Sequence, residues 1–289
     1  MQTAHSLEES SNIVTTIDCN GRSDAQIKLS IQRATENRAP LMKLIGLDLD
    51  RIERPTPSHW IDNCATPNDA RFEQLSNMLG NVFGYSDLQN GRLVQEVFPI
   101  RGDARKQVGS GAIKLELHTE DPILEYRADY LGFMCVSNRD RIPTTVAVPD
   151  FALLSETTRL TLCDTKFTIF SDRPTPTPFK PAKLVTSVLL RAPGGRLRMI
   201  YDPVYIDYAA MDAGQSAAFR ELQELIDSAM TEFLLKEGDV GFVDNYQVAH
   251  GRPQYVPRYD GTDRWLKRTQ ISSNLVRFSA IAVGENVLP

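Results

Sequence analysis

From about residue 92 onward the chain is cut into short apolar runs divided by Gly, Pro and Asp, and no other feature narrows its fold so much. RLVQEVFPI, AIKLEL, ADYLGFMCV, TTVAV, KFTIF, KLVTSVLL and RLRMIYD come first. VGFVDNYQVAHG, RTQISSNLV and RFSAIAV follow. Runs of this length, rich in β-branched and aromatic residues and bounded by turn formers, read as strands. One helix interrupts them at about 215–236, with Phe219, Leu222, Ile226, Ala229 and Phe233 as its apolar stripe and Gly238 as its stop. Two helices precede the strands. One covers about 24–37, carrying Ile27, Leu29, Ile31 and Ala34. The other covers about 67–82, opened by Pro67 and carrying Phe72, Leu75, Met78, Leu79 and Val82. Many short strands with flanking helices predict a mainly β fold with a double-stranded β-helix (jelly-roll) core. We expect one domain over 1–289. About 1–82 would be helical or irregular decoration, and about 83–289 the core with its inserted helix.

Composition removes several classes of function. A net charge of -5 argues against nucleic acid or an anionic membrane as partner. No apolar run approaches the length of a membrane helix, and the N-terminal MQTAHSLEESSN has neither the basic start nor the apolar stretch of a signal peptide. The four cysteines, Cys19, Cys64, Cys135 and Cys163, are scattered and form no C-x-x-C pair. Reduced thiols in a cytoplasmic protein are the plain reading.

Histidine is scarce, which restricts how a metal site can be built. Of the four, His5 lies in the polar terminus and His59 in the proline-rich PTPSHW. His118 stands two residues before Glu120, so on an extended chain both side chains point the same way. With His250 as a distant second imidazole they compose two histidines and one carboxylate, a set that leaves coordination positions open on Fe(II). An H-x-E pair also arises by chance. Moreover, the apolar face Ile113, Leu115 and Leu117 lies opposite His118 and Glu120, so the strand should end or kink before them. Asp121 has the wrong parity to join them. Arg264 and Arg268 follow His250, and arginine offers a planar fork that matches a carboxylate. Exposed cations in the stretch DRWLKR are the competing reading.

GDVGFVDNYQVAHGRPQYVPRYDGTDRWLKR (238–268) resembles the distal motif of the clavaminate synthase-like Fe(II)/2-oxoglutarate oxygenases. LELHTED with YRADYLGFMCV (115–136) resembles their proximal motif. It is closest to the subgroup that hydroxylates free arginine, asparagine or lysine and carries Glu where Asp is commoner. GRLVQEVFPI (91–100) resembles a third block. The resemblance runs from about 83 to 280.

The resemblance implies a site. His118, Glu120 and His250 would hold Fe(II), which with 2-oxoglutarate and O2 would oxidise an unactivated C–H, at Cβ or Cγ of a free L-amino acid. Arg264 would bind the distal carboxylate of 2-oxoglutarate, assisted by Thr145. Arg268 would clamp the substrate α-carboxylate, and Gln89 with Glu120 the α-amino group. Asp202 and Asp172 would read the side chain, Asp172 from a lid; both also suit turns. The arginine hydroxylases of this family use an acidic pair near Asp202, and here Val204 stands two residues on. Arginine, lysine, ornithine and neutral residues therefore stay open. Glu120 fills the position that a halogenase leaves for chloride. Three alternatives remain: a carrier-tethered residue or small acid as substrate, desaturation or cyclisation as outcome, and a non-catalytic jelly-roll binding protein.

Overall fold

The computed structural model describes residues 13–123, 127–172, 181–274 and 282–289. The chain opens with β1 (Val14–Asp18), α1 (Asp24–Glu36) and β2 (Leu41–Ile45), a crossover that lays β1 parallel to β2. At the N-terminus of α1, Gln26 Oε1 accepts from the Ser23 backbone N–H at 2.9 Å, and Ile27, Ile31 and Ala34 form the buried face. Leu29, grouped with them on sequence, is instead exposed. Next come α2 (Asp69–Ser76), β3 (Asn81–Tyr85), β4 (Gln95–Val97), β5 (Leu115–His118), β6 (Tyr130–Ser137) and β7 (Thr144–Ala147). They are followed by α3 (Glu156–Asp164), β8 (Phe167–Phe170), β9 (Lys183–Thr186), β10 (Leu189–Arg191), β11 (Leu197–Met199) and α4 (Ala213–Ser228). β12 (Met230–Phe233), β13 (Val240–Asp244), β14 (Ala249–Arg252), β15 (Trp265–Ser272) and β16 (Val287–Leu288) complete the chain.

The core is a double-stranded β-helix of the jelly-roll type. Its major sheet has eight strands, ordered β1-β2-β13-β6-β15-β3-β16 with β4 also on β15, and its minor sheet runs β12-β7-β14-β5. β15 serves both sides of the major sheet because successive side chains on a strand alternate. Leu266 packs inward with Phe133, Val146 and Ala249, whereas Trp265 packs outward with Phe72, Leu75, Ile27 and Ile31. The outward layer also holds Lys267, which is fully buried. Its Nζ meets Glu96 Oε1 at 2.8 Å, Asp69 Oδ2 at 3.0 Å and the Cys64 carbonyl at 2.8 Å. Trp265 Nε1 donates to the other Glu96 oxygen at 2.7 Å.

Several expectations need correction. The first 82 residues are more than decoration, since β1 and β2 extend the major sheet through β13. The second helix stops at Ser76, because Val82 is drawn into the ladder opposite Ile271 and the Asn77 side chain caps its N–H at 3.0 Å. The inserted helix stops at Ser228, and Phe233 belongs to β12, paired with Thr144. Helix α3 had no apolar periodicity to announce it. It forms by packing on α4, where Glu221 accepts from the Ser155 N–H at 2.8 Å and Ser155 Oγ caps Thr158. His5, most of RFSAIAV and the segment after Asp172 (173–180), where a lid was expected, lie outside the described residues. All four cysteines are free. Among the described residues no helix is long and apolar enough to cross a membrane.

Candidate active site

His118 and His250 face each other directly across the β5–β14 ladder of the minor sheet. Their rings lie 4.5 Å apart. Two positions on, the register slips, with Arg252 opposite Leu115 rather than Glu116. This β-bulge answers the parity problem seen in the sequence. One extra residue in β5 lets Leu115 and His118, three apart, both line the same cavity. Gly251 makes it feasible, since a Cβ there would sit 2.4 Å from the Leu115 carbonyl oxygen. The strand thus kinks before His118, as expected, and ends at His118 itself.

Glu120 is placed by its backbone. Its N–H donates to Asn245 Oδ1 at 2.7 Å, and Asn245 Nδ2 returns to the Glu120 carbonyl at 3.1 Å and the Ala128 carbonyl at 2.9 Å. Thr119 is pinned to Tyr201 through main chain and hydroxyl. Asp121 has a left-handed φ of 47°, which breaks the strand alternation, so Asp121 lines the cavity too, against the parity expectation. The result brings Glu120 Oε2 to 3.7 Å from His118 Nε2 and 3.4 Å from His250 Nε2. One ligand atom from each of the three residues lies within 4.8 Å of the others.

The donor set fits a divalent iron. His118 Nδ1 lies 2.8 Å from the Glu116 carbonyl, which selects the tautomer with its proton on Nδ1 and leaves the Nε2 lone pair facing Glu120. Burial opposes the ionised form of Glu120, but the Arg268 charge and the two imidazoles overcome it and hold the carboxyl well below its ordinary range. Burial also opposes a charged His118, yet Glu120, then Asp202, raise it to about 9. Burial and the neighbouring His118 push His250 down to about 4.

The triad opens onto a cavity of about 670 Å³ between the two sheets. Arg264 lines it, buried, with Nη2 donating to Thr144 Oγ1 at 2.8 Å and Nε without a hydrogen-bond partner. Among the described residues no carboxylate pairs with it. Burial, then the nearby Arg252, lower it to about 10. A buried guanidinium without a counterion fits the carboxylate of an anionic cosubstrate. The hydroxyl it meets belongs to Thr144. Thr145, singled out from the sequence, is one strand position on, faces the other way and does not line the cavity.

Arg268 lines the same cavity and donates to Glu120 Oε1 through Nη1. Nε and Nη2 both go to Gln95 Oε1, at 3.0 and 2.7 Å. Gln89 lines the cavity as well, but its amide is engaged. Nε2 donates to the Glu96 carbonyl and Oε1 accepts from the Glu96 N–H, each at 2.8 Å, in support of a left-handed backbone (φ 49°). That leaves Oε1 one lone pair for a ligand. Beside His118 lies a recess of about 40 Å³ bordered by Glu120, Asp121, Asp172 and Asp202, and among the described residues no Lys or Arg lines it. Asp202 Oδ1 accepts from the backbone N–H groups of Val204 and Tyr205, at 3.0 and 3.2 Å. Burial raises the carboxyl of Asp202, and burial followed by Asp172 and Asp202 raises the Tyr205 phenol, so the two acids flank that ring. Val204 is an exposed side chain outside this lining.

Sequence reasoning missed Gln95, Asn245 and Thr144. Asn245 sits in the quoted D-N-x-x-x-x-H block, but its partner Glu120 is 125 residues away. Gln95 sits in the quoted GRLVQEVFPI block, but its partner Arg268 is 173 residues away.

Comparison with known proteins agrees with this geometry. Residues 165–270 match the taurine catabolism dioxygenase TauD, TfdA family. Enduracididine beta-hydroxylase of Streptomyces hygroscopicus is 32% identical over 253 residues, 78% of this chain and 72% of the relative. L-ornithine/L-arginine 3-hydroxylase of Catenulispora acidiphila is 30% identical over 268 residues, 81% of this chain and 77% of the relative. The crystal structure of the non-heme iron oxygenase OrfP with Fe, succinate and (3S)-hydroxy-L-Arg superposes with a TM-score of 0.83 at 29% identity, covering 92% of this chain and 87% of OrfP. On this identity, this coverage and a His-Glu-His cluster built on the same jelly roll, the chain belongs to the clavaminate synthase-like, iron- and 2-oxoglutarate-dependent oxygenases of amino acids.

Proposed function

We propose that the protein hydroxylates an unactivated C–H bond of a free L-amino acid with a cationic side chain. The observation that carries the side-chain assignment is the recess beside His118, where Glu120, Asp121, Asp172 and Asp202 converge and the described residues contribute no Lys or Arg to the lining. Negative charge gathered in this way favours a cation that neutralises it. The relatives named above include one whose substrates are ornithine and arginine.

In this reading His118, Glu120 and His250 hold Fe(II), and Arg264 with Thr144 holds the distal carboxylate of 2-oxoglutarate. Iron, 2-oxoglutarate and O2 together supply the oxidant, with succinate and CO2 as coproducts. The chain itself supplies placement. Arg268 binds the substrate α-carboxylate. Glu120 and the remaining lone pair of Gln89 Oε1 accept from the α-amino group. Asp202 and Asp172 take the side-chain cation, and these contacts together set which carbon faces the metal. A carrier-tethered residue has no free carboxylate for Arg268, so this geometry favours the free amino acid.

The test is succinate release under Fe(II), 2-oxoglutarate and air with L-arginine, L-ornithine, L-lysine and L-asparagine added singly. Cationic amino acids should raise release well above the background without substrate. If none does, the assignment fails. A separate expectation concerns the cosubstrate. Arg264→Lys should weaken 2-oxoglutarate about ten- to a hundredfold, since the fork contact to a charged group is worth roughly 1.5–3 kcal/mol. Thr144→Val should weaken it by up to about tenfold, and Thr145→Val should leave it unchanged. Titrating the visible band of the anaerobic Fe(II)–2-oxoglutarate complex separates them. Equal effects at Thr144 and Thr145 would undo the assignment.

A further inference from the structure

We propose that Gln95 is a positioning residue whose neutrality leaves Arg268 free to recognise a substrate α-carboxylate. This rests on the amino-acid reading above. Gln95 is fully buried on β4 and stands opposite Arg268 in the β4–β15 ladder. Its Oε1 takes both Nε and Nη2 of Arg268, the side edge of the guanidinium fork where a carboxylate usually sits. Guanidinium has donors only, so the amide must present its oxygen; Nε2 accordingly turns to the Arg92 carbonyl at 3.5 Å. A third N–H, on Nη1, goes to Glu120. Of the five N–H groups, one on Nη1 and one on Nη2 remain for a ligand.

The neighbouring position on the same two strands shows the alternative. There Glu96 stands opposite Lys267 and forms an ion pair at 2.8 Å. The face of β15 that carries Lys267 thus neutralises its cation with an acid. The face that carries Arg268, which lines the cavity, orients its cation with an amide. An acid at position 95 would give Arg268 two carboxylates, its own and Glu120, and the surplus negative charge would repel an incoming carboxylate. The amide fixes the plane of the guanidinium without compensating its charge. Gln95 is therefore a specificity device for the α-carboxylate, acting through Arg268.

The test uses full-length Gln95→Glu and Gln95→Met, with whichever amino acid of the panel gives the highest succinate release, supplied as the free acid and as its α-carboxamide. Wild type should prefer the acid. In Gln95→Glu the KM for the acid should rise about tenfold or more, with kcat changed far less, and the acid-over-amide preference should fall by a similar factor, as like-charge juxtaposition predicts. The anaerobic Fe(II)–2-oxoglutarate band should persist. In Gln95→Met, Arg268 loses its orientation but keeps its charge, so turnover should drop while the acid-over-amide preference is retained. Unchanged preference in Gln95→Glu overturns the proposal, as does loss of the band. If Gln95→Glu does not fold, Gln95→Met decides: retained preference supports the proposal and lost preference overturns it. A wild-type protein that no amino acid activates overturns this proposal together with the function it rests on, whereas an active wild type with an indifferent Gln95→Glu overturns this proposal alone.

Discussion

His250→Ala is expected to abolish iron binding, while His59→Ala leaves it intact. His250 is buried and its Nε2 shares the Glu120 carboxylate with His118, so alanine removes one of three ligand atoms from a site that has no substitute donor among the described residues. His59 lies in a turn, where its Nδ1 accepts from the Ile61 N–H at 3.2 Å and its ring meets Trp60. Loss of a partner that merely orients a ligand weakens metal affinity about 10–100-fold, so loss of the ligand itself should exceed that. Iron content after anaerobic loading and desalting, with circular dichroism as the check on folding, reads the outcome. Equal loss in both variants would mean that the metal sits elsewhere.

Lys267→Met should produce the largest loss of stability. The ammonium is fully buried among Glu96, Asp69 and the Cys64 carbonyl, and burial already raises the carboxyl of Glu96 despite this partner. Methionine fills the same volume but leaves Glu96 buried without its counter-charge. Breaking a buried pair in this way costs about 3–5 kcal/mol. For a chain of this size each kcal/mol moves Tm by roughly 2–4 °C, so a fall on the order of 10 °C is expected. Adding Glu96→Gln should restore part of it, because the stranded charge is then removed. A double variant no more stable than Lys267→Met would show that packing, not charge, holds this layer.

The two experiments address opposite faces of one strand. β15 presents Leu266 and Arg268 to the cavity and Trp265, Lys267 and Thr269 to the layer behind. In the sequence DRWLKR these residues look like one basic stretch. Period-two alternation separates them into a cavity-facing cation and a structural one.

Local chemistry made much of the molecule legible. Among the described residues, the short apolar runs became strands. Helix α1 could be read because Ile27, Ile31 and Ala34 recur at helical spacing. The cluster of His118, Glu120 and His250 was identifiable because histidine is scarce and two long blocks resemble one family. Features set by distant partners could not be read. Helix α2 ends early because Val82 must pair with Ile271. Thr144 rather than Thr145 meets Arg264 because the strand's register decides which hydroxyl faces the cavity. Asn245 holds Glu120 across 125 residues of chain.

The sequence by itself determined the class of fold and pointed to the three candidate metal donors and the two cavity arginines, through residue type and ordered blocks that resemble one family. Only the tertiary structure decided how the donors meet. The β-bulge opposite Gly251, the left-handed turn at Asp121 and the neutral Gln95 beside Arg268 all arise from contacts between strands far apart in the chain. Such contacts leave no local pattern, because the energy that selects them is gained only once both sheets have closed around the cavity.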